Sequence, residues 1–260
     1  MSVVDNYKRQ DVLRAVRAVL AEDCACAEDA FLKDGVSIVD WEERPGRRRF
    51  PLPSQTLLVV TMGAGVVVAS HPERSAWLRE TLQGLERDVA FAASTIASLA
   101  QYVNRDGQEL FGPYPKYVCS RESFKPADVP DDIQISMVER EGMSDLYRHA
   151  GFRHALQYRM DDPRPDMVAT VATRGGEIVG IAGADSTCET MWELGIDVVG
   201  AARGKGIGRA LVSVLTETVL ERGRVPHYSA AISNIRSRNV AVSLGYWPAW
   251  TELYVQDRTS

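Results

Sequence analysis

The chain is 260 residues long, with a net charge of −5 at pH 7, 45% apolar residues and 25% charged ones. That length supports two domains, or one embellished domain, with cores of their own. The acidic balance argues against nucleic acid as the main partner, because a phosphate backbone needs a prevailing basic surface, and the longest apolar run, fifteen residues that include Gly63 and Gly65, is too short to span a bilayer.

The first segment, MSVVDNYKRQ, has no apolar core of the kind a secretory signal needs, so a cytoplasmic protein is expected. In RQDVLRAVRAVLAED the apolar positions Val12, Leu13, Val16, Val19 and Leu20 recur at helical spacing. The cluster RPGRRRF is the one basic stretch and reads as a solvated loop. TLLVVTMGAGVVVAS predicts two short buried strands around the Gly63-Ala64-Gly65 turn, and SAWLRETLQGLERDVAFAASTIASLAQYV predicts one or two helices. Residues 1–105 thus form an N-terminal α/β domain in which no catalytic constellation stands out. Residues 106–131 are rich in Pro, Gly and charge and mark a connection, but Phe111, Tyr114 and Tyr117 are too aromatic for a free tether, so a packed linker is expected. Cys24, Cys26, Cys119 and Cys188 make no C-x-x-C pair and have no His at zinc-like spacing; they read as reduced thiols, and no metal is expected.

A second domain is expected over residues 132–260. IQISMVERE alternates as a strand, MSDLYRHAGFRHALQYR carries helical periodicity, and DMVATVATRGGEIVGIAGADS is a hairpin with Gly175 and Gly176 at its tip. TMWELGIDVV is the next strand and IGRALVSVLTETVLERG the next helix, followed by a strand from His227 to Ile232 and a helix from about Ile235 to Leu244 that Gly245 stops.

Between strand and helix lies VVGAARGKGIGRAL. A dinucleotide fingerprint fails there, because the position for its third glycine is Arg209. A nucleoside-triphosphate loop fails too, since no Gly-Lys-Ser or Gly-Lys-Thr follows Gly200. What remains is Arg203-x-x-Gly206-x-Gly208, where the glycines let successive backbone N–H groups converge at a helix start and hold a pyrophosphate without a metal.

At these residues the chain resembles the GNAT superfamily of N-acetyltransferases, whose signature is [R/Q]-x-x-G-x-[G/A] between the fourth strand and the third helix. A second motif is in register with it: family members often carry N-x-x-S and then Leu-Gly-aromatic, and Asn234, Ser237, Leu244, Gly245 and Tyr246 sit at that spacing. The resemblance covers about residues 132–255. It implies an α/β fold with an α+β mixed sheet in the C-terminal half, beside the smaller mixed α/β N-terminal domain, and acetyl-CoA as co-substrate without a metal. It further implies that the cofactor meets the main chain of Ile196 and Val198, the loop Arg203, Gly204, Lys205, Gly206, Ile207, Gly208 and Arg209, and the pair Asn234 and Ser237. Asn234 also suits an ordinary helix cap, and Ile196 and Val198 suit plain core positions.

Acetyl transfer to an amine needs a base for the ammonium proton and a donor for the leaving thiolate. Glu193, early in the strand before the loop, is the base candidate, by resemblance to family members that hold a carboxylate there. Strand alternation puts Glu193 and Asp197 on one face and Trp192, Leu194 and Ile196 on the other. Many members use a Tyr seven residues after the Asn as general acid; here position 241 is Ala, which leaves Tyr228, Ser237, Ser243 or solvent. His227 reads as a strand-start residue. Three functions stay open: N-acetylation of a primary amine of a small molecule, which is favoured; N-acetylation of a protein or peptide; and a non-catalytic acetyl-CoA sensor. Neither nucleic acid nor membrane is expected as a partner, and a homodimer is compatible with the sequence.

Overall fold

The computed structural model describes residues 6–49, 56–149 and 151–258. The first five residues, Phe50 of the basic cluster and Ala150 of the expected helix lie outside these. The elements in chain order are α1 (Arg9–Cys24), β1 (Val36–Asp40), β2 (Leu57–Thr61), β3 (Val66–Ser70), α2 (Pro72–Leu82), α3 (Arg87–Ala90), α4 (Ala93–Asn104), β4 (Gln108–Val118), β5 (Gln134–Glu139), α5 (Met143–Leu146), β6 (Asp166–Arg174), β7 (Glu177–Ser186), β8 (Met191–Val198), α6 (Ile207–Glu221), β9 (Val225–Ser229), α7 (Ile235–Ser243) and β10 (Trp247–Asp257). Among the described residues no helix is long and apolar enough to cross a membrane.

The chain divides into two compact units. The smaller consists of Val16–Lys116, Ala231–Ser233 and Pro248–Ser260. Its strands follow the order β1-β3-β2-β10-β4, with β1 parallel to β3 and the hairpin β2–β3 antiparallel, as the Gly63–Gly65 turn predicts. Leu57, Val59, Val66 and Val68 meet Leu78, Leu82, Leu99 and Val103 of α2 and α4 in one apolar cluster. The stretch 106–131, expected as a packed linker, contains β4, and its Phe111 and Tyr114 lie against the Tyr254 ring at 6.0 and 5.9 Å between centroids.

Arg48, from the cluster expected to be solvated, is instead only 3% exposed. Its guanidinium bonds Asp23 at 2.6 Å and Glu252 at 2.7 Å; Lys116 and the Trp250 indole N–H complete the partners of Glu252 at 3.2 and 2.7 Å. Charge alone puts arginine outside, but two buried carboxylates reverse that, because each needs a cation within reach.

The larger unit consists of Met1–Ala15, Tyr117–Ala230 and Asn234–Trp247. Its strand order is β9-β8-β7-β6-β5; neighbours are antiparallel except β8 and β9, which are parallel. Helix α6 covers one sheet face through Ile207, Leu211, Leu215 and Val219. The other face carries Met143, Leu146, Phe152, Ala155 and Leu156 over Ala169, Val171 and Ile181.

The helix expected over 143–159 is a correction: among the described residues only Met143–Leu146 is helical, and the others there form turns and loop. Gly183 and Gly195 stand opposite each other on β7 and β8, and a Cβ at either would overlap the carbonyl oxygen of Ala155 or His154. Main chain therefore lies flat on the sheet there, a contact no helix can make with its backbone wrapped in side chains. The strand expected over His227–Ile232 is Val225–Ser229, shifted toward the N-terminus.

The four cysteines are free thiols. Cys24 and Cys119 are fully buried; burial pushes Cys24 far up and brings Cys119 up to about 11, and partial burial does the same to Cys26.

The ion cluster gives a test with a sign. Although burial opposes it, Arg48 and then Lys116 hold Glu252 down to about 2, below its ordinary 4.5. A depressed carboxyl contributes stability above its ordinary value and loses it as pH falls through the folded value. E252Q is therefore expected to destabilise the fold by about 3 to 5 kcal/mol near pH 7, and the gap to the native chain should narrow as pH drops from 4.5 toward 2, as read by denaturant melts.

Candidate functional site

The candidate catalytic and cofactor-binding residues all fall in the larger unit, around the end of one strand pairing. β8 pairs with β7 along its whole length, from Trp192 opposite Ser186 to Val198 opposite Gly180. It pairs with β9 only from Met191 to Leu194, the last rung being Leu194 with Tyr228. Beyond that rung no strand among the described residues pairs with the β9-facing edge of Gly195–Val198, so the sheet opens.

The loop after β8 is built from a 3₁₀ turn over Gly200–Ala202 and then Arg203 to Gly206. Gly206, at the N-cap of α6, has φ +81°, a left-handed conformation that a side chain disfavours. No side chain caps the helix, so the amides of Ile207, Gly208 and Arg209 keep the unclaimed N–H groups of a helix start. Arg203, Lys205 and Arg209 are exposed around them, and the Arg203 Nε donates to the Val198 carbonyl at 2.9 Å. Ile207 is buried and anchors the turn. A Cβ at Gly208 would lie 3.1 Å from Ile196 Cδ1 and 3.6 Å from Val198 Cγ2, so Gly208 lets α6 sit down on β8. Gly204 has open space around it. Positive helix end, glycine nest and basic rim together suit a polyanion.

The side chains of Ile196 and Val198 therefore face α6, with Trp192 and Leu194, while Glu193 and Asp197 point to the opposite face, as alternation predicts. Asp197 Oδ2 accepts the His154 amide at 2.6 Å. On the α6 side, Tyr228 is buried and its hydroxyl is 2.7 Å from Ser237 Oγ; burial, which the Ser237 contact only partly offsets, raises the phenol. Asn234 Oδ1 accepts the Ser237 amide at 3.1 Å and so caps α7. Ala241 is fully buried, Tyr246 bonds Thr216 at 2.7 Å, and Ser243 donates to the Val240 carbonyl of its own helix. Of the acid candidates, Tyr228 and Ser237 are thus brought together, and Ser243 is not with them. His227 is fully buried, with Nε2 3.2 Å from Thr187 Oγ1.

Sequence reading missed Asp185, Asp166 and Gln157. Asp166 stands opposite Asp185, and Asp185 opposite Glu193, on one sheet face. Gln157 donates its amide N–H to Asp166 at 2.9 Å and its side-chain N–H to Asp185 at 2.8 Å. A polar residue inside apolar strands was the available signal; its partners depend on register, which the sequence does not carry. Among the described residues no group of three His, Cys, Asp or Glu is arranged to hold a metal.

Residues 164–250 match the family model described as GNAT acetyltransferase. Among solved structures, a GCN5-related N-acetyltransferase from Kribbella flavida is similar over 96% of this chain and 96% of that one, with 15% identity and a TM-score of 0.52. An acetyltransferase from the GNAT family of Colwellia psychrerythraea covers 61% of each chain at 16% identity and a TM-score of 0.42. A GCN5-related N-acetyltransferase-like protein from Streptococcus suis covers 62% of this chain and 67% of that one, at 19% identity and a TM-score of 0.40. At these identities the likeness speaks for the fold, and the first of the three carries it. No curated protein matches.

The capping of α7 is directly testable. Asn234→Ala is expected to cost about 1 kcal/mol and to speed hydrogen exchange at the Ser237 amide, whereas Asn234→Asp should keep both near the native values.

Proposed function

We propose that this chain, whose residues 164–250 carry a GNAT acetyltransferase domain, transfers an acetyl group from acetyl-CoA to the primary amine of a small molecule. The observation that carries the reading is the coincidence of two features: the sheet opens between β8 and β9 after Leu194, and the uncapped start of α6 lies just beyond the end of β8. A long anionic thioester has a slot for its arm in the first and a polyanion cradle for its pyrophosphate in the second. Gly206 in its left-handed conformation, the open space at Gly204 and the exposed Arg203, Lys205 and Arg209 fit that ligand.

Acetyl-CoA supplies an already activated acyl group, so no covalent intermediate on the protein is required. Glu193 takes the proton of the bound ammonium, directly or through a water, which frees the nitrogen lone pair for attack. As the C–S bond breaks, Tyr228 gives its proton to the leaving sulfur; the nitrogen that has added to the carbonyl sheds its second proton to solvent, and Tyr228 regains one from solvent through Ser237. The two residues stand at the last two rungs of the β8–β9 ladder and on opposite faces of the sheet. A substrate lying in the gap beyond that ladder is met by base from one side and acid from the other. The fully buried Ala241 leaves α7 without a tyrosine of its own at that position, and Tyr246 is already engaged by Thr216.

Thermal melts and turnover test the reading separately. Acetyl-CoA should raise the Tm while NAD and ATP do so little, since a ligand bound only to the native state stabilises it by RT ln(1 + [L]/Kd), and Gly206→Val should abolish the shift. Release of free thiol with a panel of small amines should exceed that with peptides; preference for peptides, or binding without turnover, replaces the reading by a peptide acetyltransferase or a sensor. Glu193→Gln is expected to lower kcat/KM for the amine by about 10² to 10⁴ with acetyl-CoA affinity little changed. Tyr228→Phe should lower kcat with the same affinity unchanged.

A further inference from the structure

Glu193 does not stand alone on its face of the sheet. Four titratable residues lie in register across four adjacent strands: Asp166 on β6, Asp185 on β7, Glu193 on β8 and His227 on β9. Residues directly opposite on neighbouring strands share a face with Cβ atoms about 5 Å apart. Glu193 is therefore flanked by Asp185 on one side and His227 on the other.

The hydrogen bonds around Asp185 are lopsided. Arg164 Nη2 donates to Gln157 Oε1 at 3.2 Å, and because a guanidinium only donates, this contact fixes the amide orientation. Gln157 Nε2 then faces Asp185 Oδ2 and donates to it at 2.8 Å. Asp185 Oδ1 is buried and takes no hydrogen bond from any described donor, although the residue is 7% exposed. Asp166, its neighbour on the other side, is satisfied by the Tyr147 hydroxyl at 2.8 Å and the Gln157 amide at 2.9 Å. A buried carboxylate oxygen without a donor is costly, whereas a carboxyl that carries a proton there becomes a donor itself. Burial, and after it the charge of Glu193, push the Asp185 carboxyl well above the ordinary carboxylate range, with Arg164 opposing and Asp166 adding to the rise.

We propose that Asp185 is a positioning residue for Glu193: its Oδ1 carries a proton and presents it across the β7–β8 rung, which orients the Glu193 carboxylate and keeps it ionised. The inference rests on the base role of Glu193 for its catalytic meaning. Asp185 itself touches no substrate. Gln157 fixes which Asp185 oxygen is free to donate, and the charged or titratable groups that face the pair are Asp166, Arg164 and, across Glu193, His227.

Carboxyl-carbon NMR of the full chain, labelled at Asp and Glu and assigned with Asp185→Asn and Glu193→Gln, tests this without any turnover. In the native chain the Asp185 signal should remain that of a protonated acid through pH 7, while Glu193 is ionised; an Asp185 that titrates in the ordinary carboxylate range overturns the proposal, and the titration itself is read in the native chain. Asp185→Ala should raise the Glu193 titration by about one pH unit and, because the base loses the hydrogen bond that orients it, lower kcat/KM about tenfold near neutral pH. Asp185→Asn keeps a donor in the same place and should stay within about threefold of the native chain. A merely structural Asp185 would lower the Tm in both variants and leave the Glu193 titration where it was, which also overturns the proposal. If Glu193→Gln proves fully active while the titration still moves in Asp185→Ala, the pairing stands and the base assignment falls.

Discussion

Two glycines facing each other across neighbouring strands set the geometry of the larger unit's second face. Gly183 and Gly195 leave no side chain on the sheet at one rung, and the main chain of His154 and Ala155 occupies that space. Everything placed by this segment follows from the contact. The His154 amide reaches Asp197, and three residues later Gln157 spans Asp166 and Asp185. Phe152 and Leu156, on either side, close the apolar layer over Val171 and Ile181. A methyl group at either glycine would displace a backbone carbonyl, not a flexible side chain, so the strain would spread into every polar contact that the segment makes.

The opposite face depends on a different constraint, the length of the parallel pairing. Four rungs join β8 to β9, and then the strands part while β8 remains held by β7 to its end. The strand edge is thus rigid where it is unpaired, because its other edge, the Arg203 side chain on Val198 and the seat of α6 at Gly208 all fix it. An unpaired but rigid edge offers backbone donors and acceptors without the entropy cost of ordering a loop.

The elements that the sequence made legible are those whose signal is local. The β6–β7 hairpin carries Gly175 and Gly176 at its tip, α6 and α7 show apolar periodicity between clear start and stop residues, and the loop Arg203–Gly208 shows its spacing outright. The stretch 143–159 has helical periodicity too, yet Phe152, Ala155 and Leu156 bury as a turning segment because the glycine slot favours bare main chain over a helix. β1 and β10 went unread although Gly35 and Gly245 stand just before them, because neither VSIVD nor WPAWTELYVQD alternates cleanly between apolar and polar residues. Within the site, the faces of Glu193 and Ile196 were legible from alternation alone. The partnership of Asp185 with Glu193 was not, since it arises from register between strands rather than from either strand's pattern. Arg48 shows the same limit in charge: its burial is decided by Asp23 and Glu252, which lie 25 and 204 positions away.

The buried thiols have a consequence for redox chemistry. Only the thiolate is attacked readily by peroxides, disulfides and alkylating agents. With Cys26 and Cys119 brought up to about 11 and Cys24 pushed well above its ordinary value, these side chains stay almost wholly in the unreactive thiol form at neutral pH. At pH 8 a thiol of that strength is ionised to about one part in a thousand, and burial at Cys24 and Cys119 adds a steric barrier. A disulfide reagent used to colour a small free thiol in solution would therefore find little to react with at these three side chains while the protein is folded, and their oxidation would report unfolding before it reported exposure.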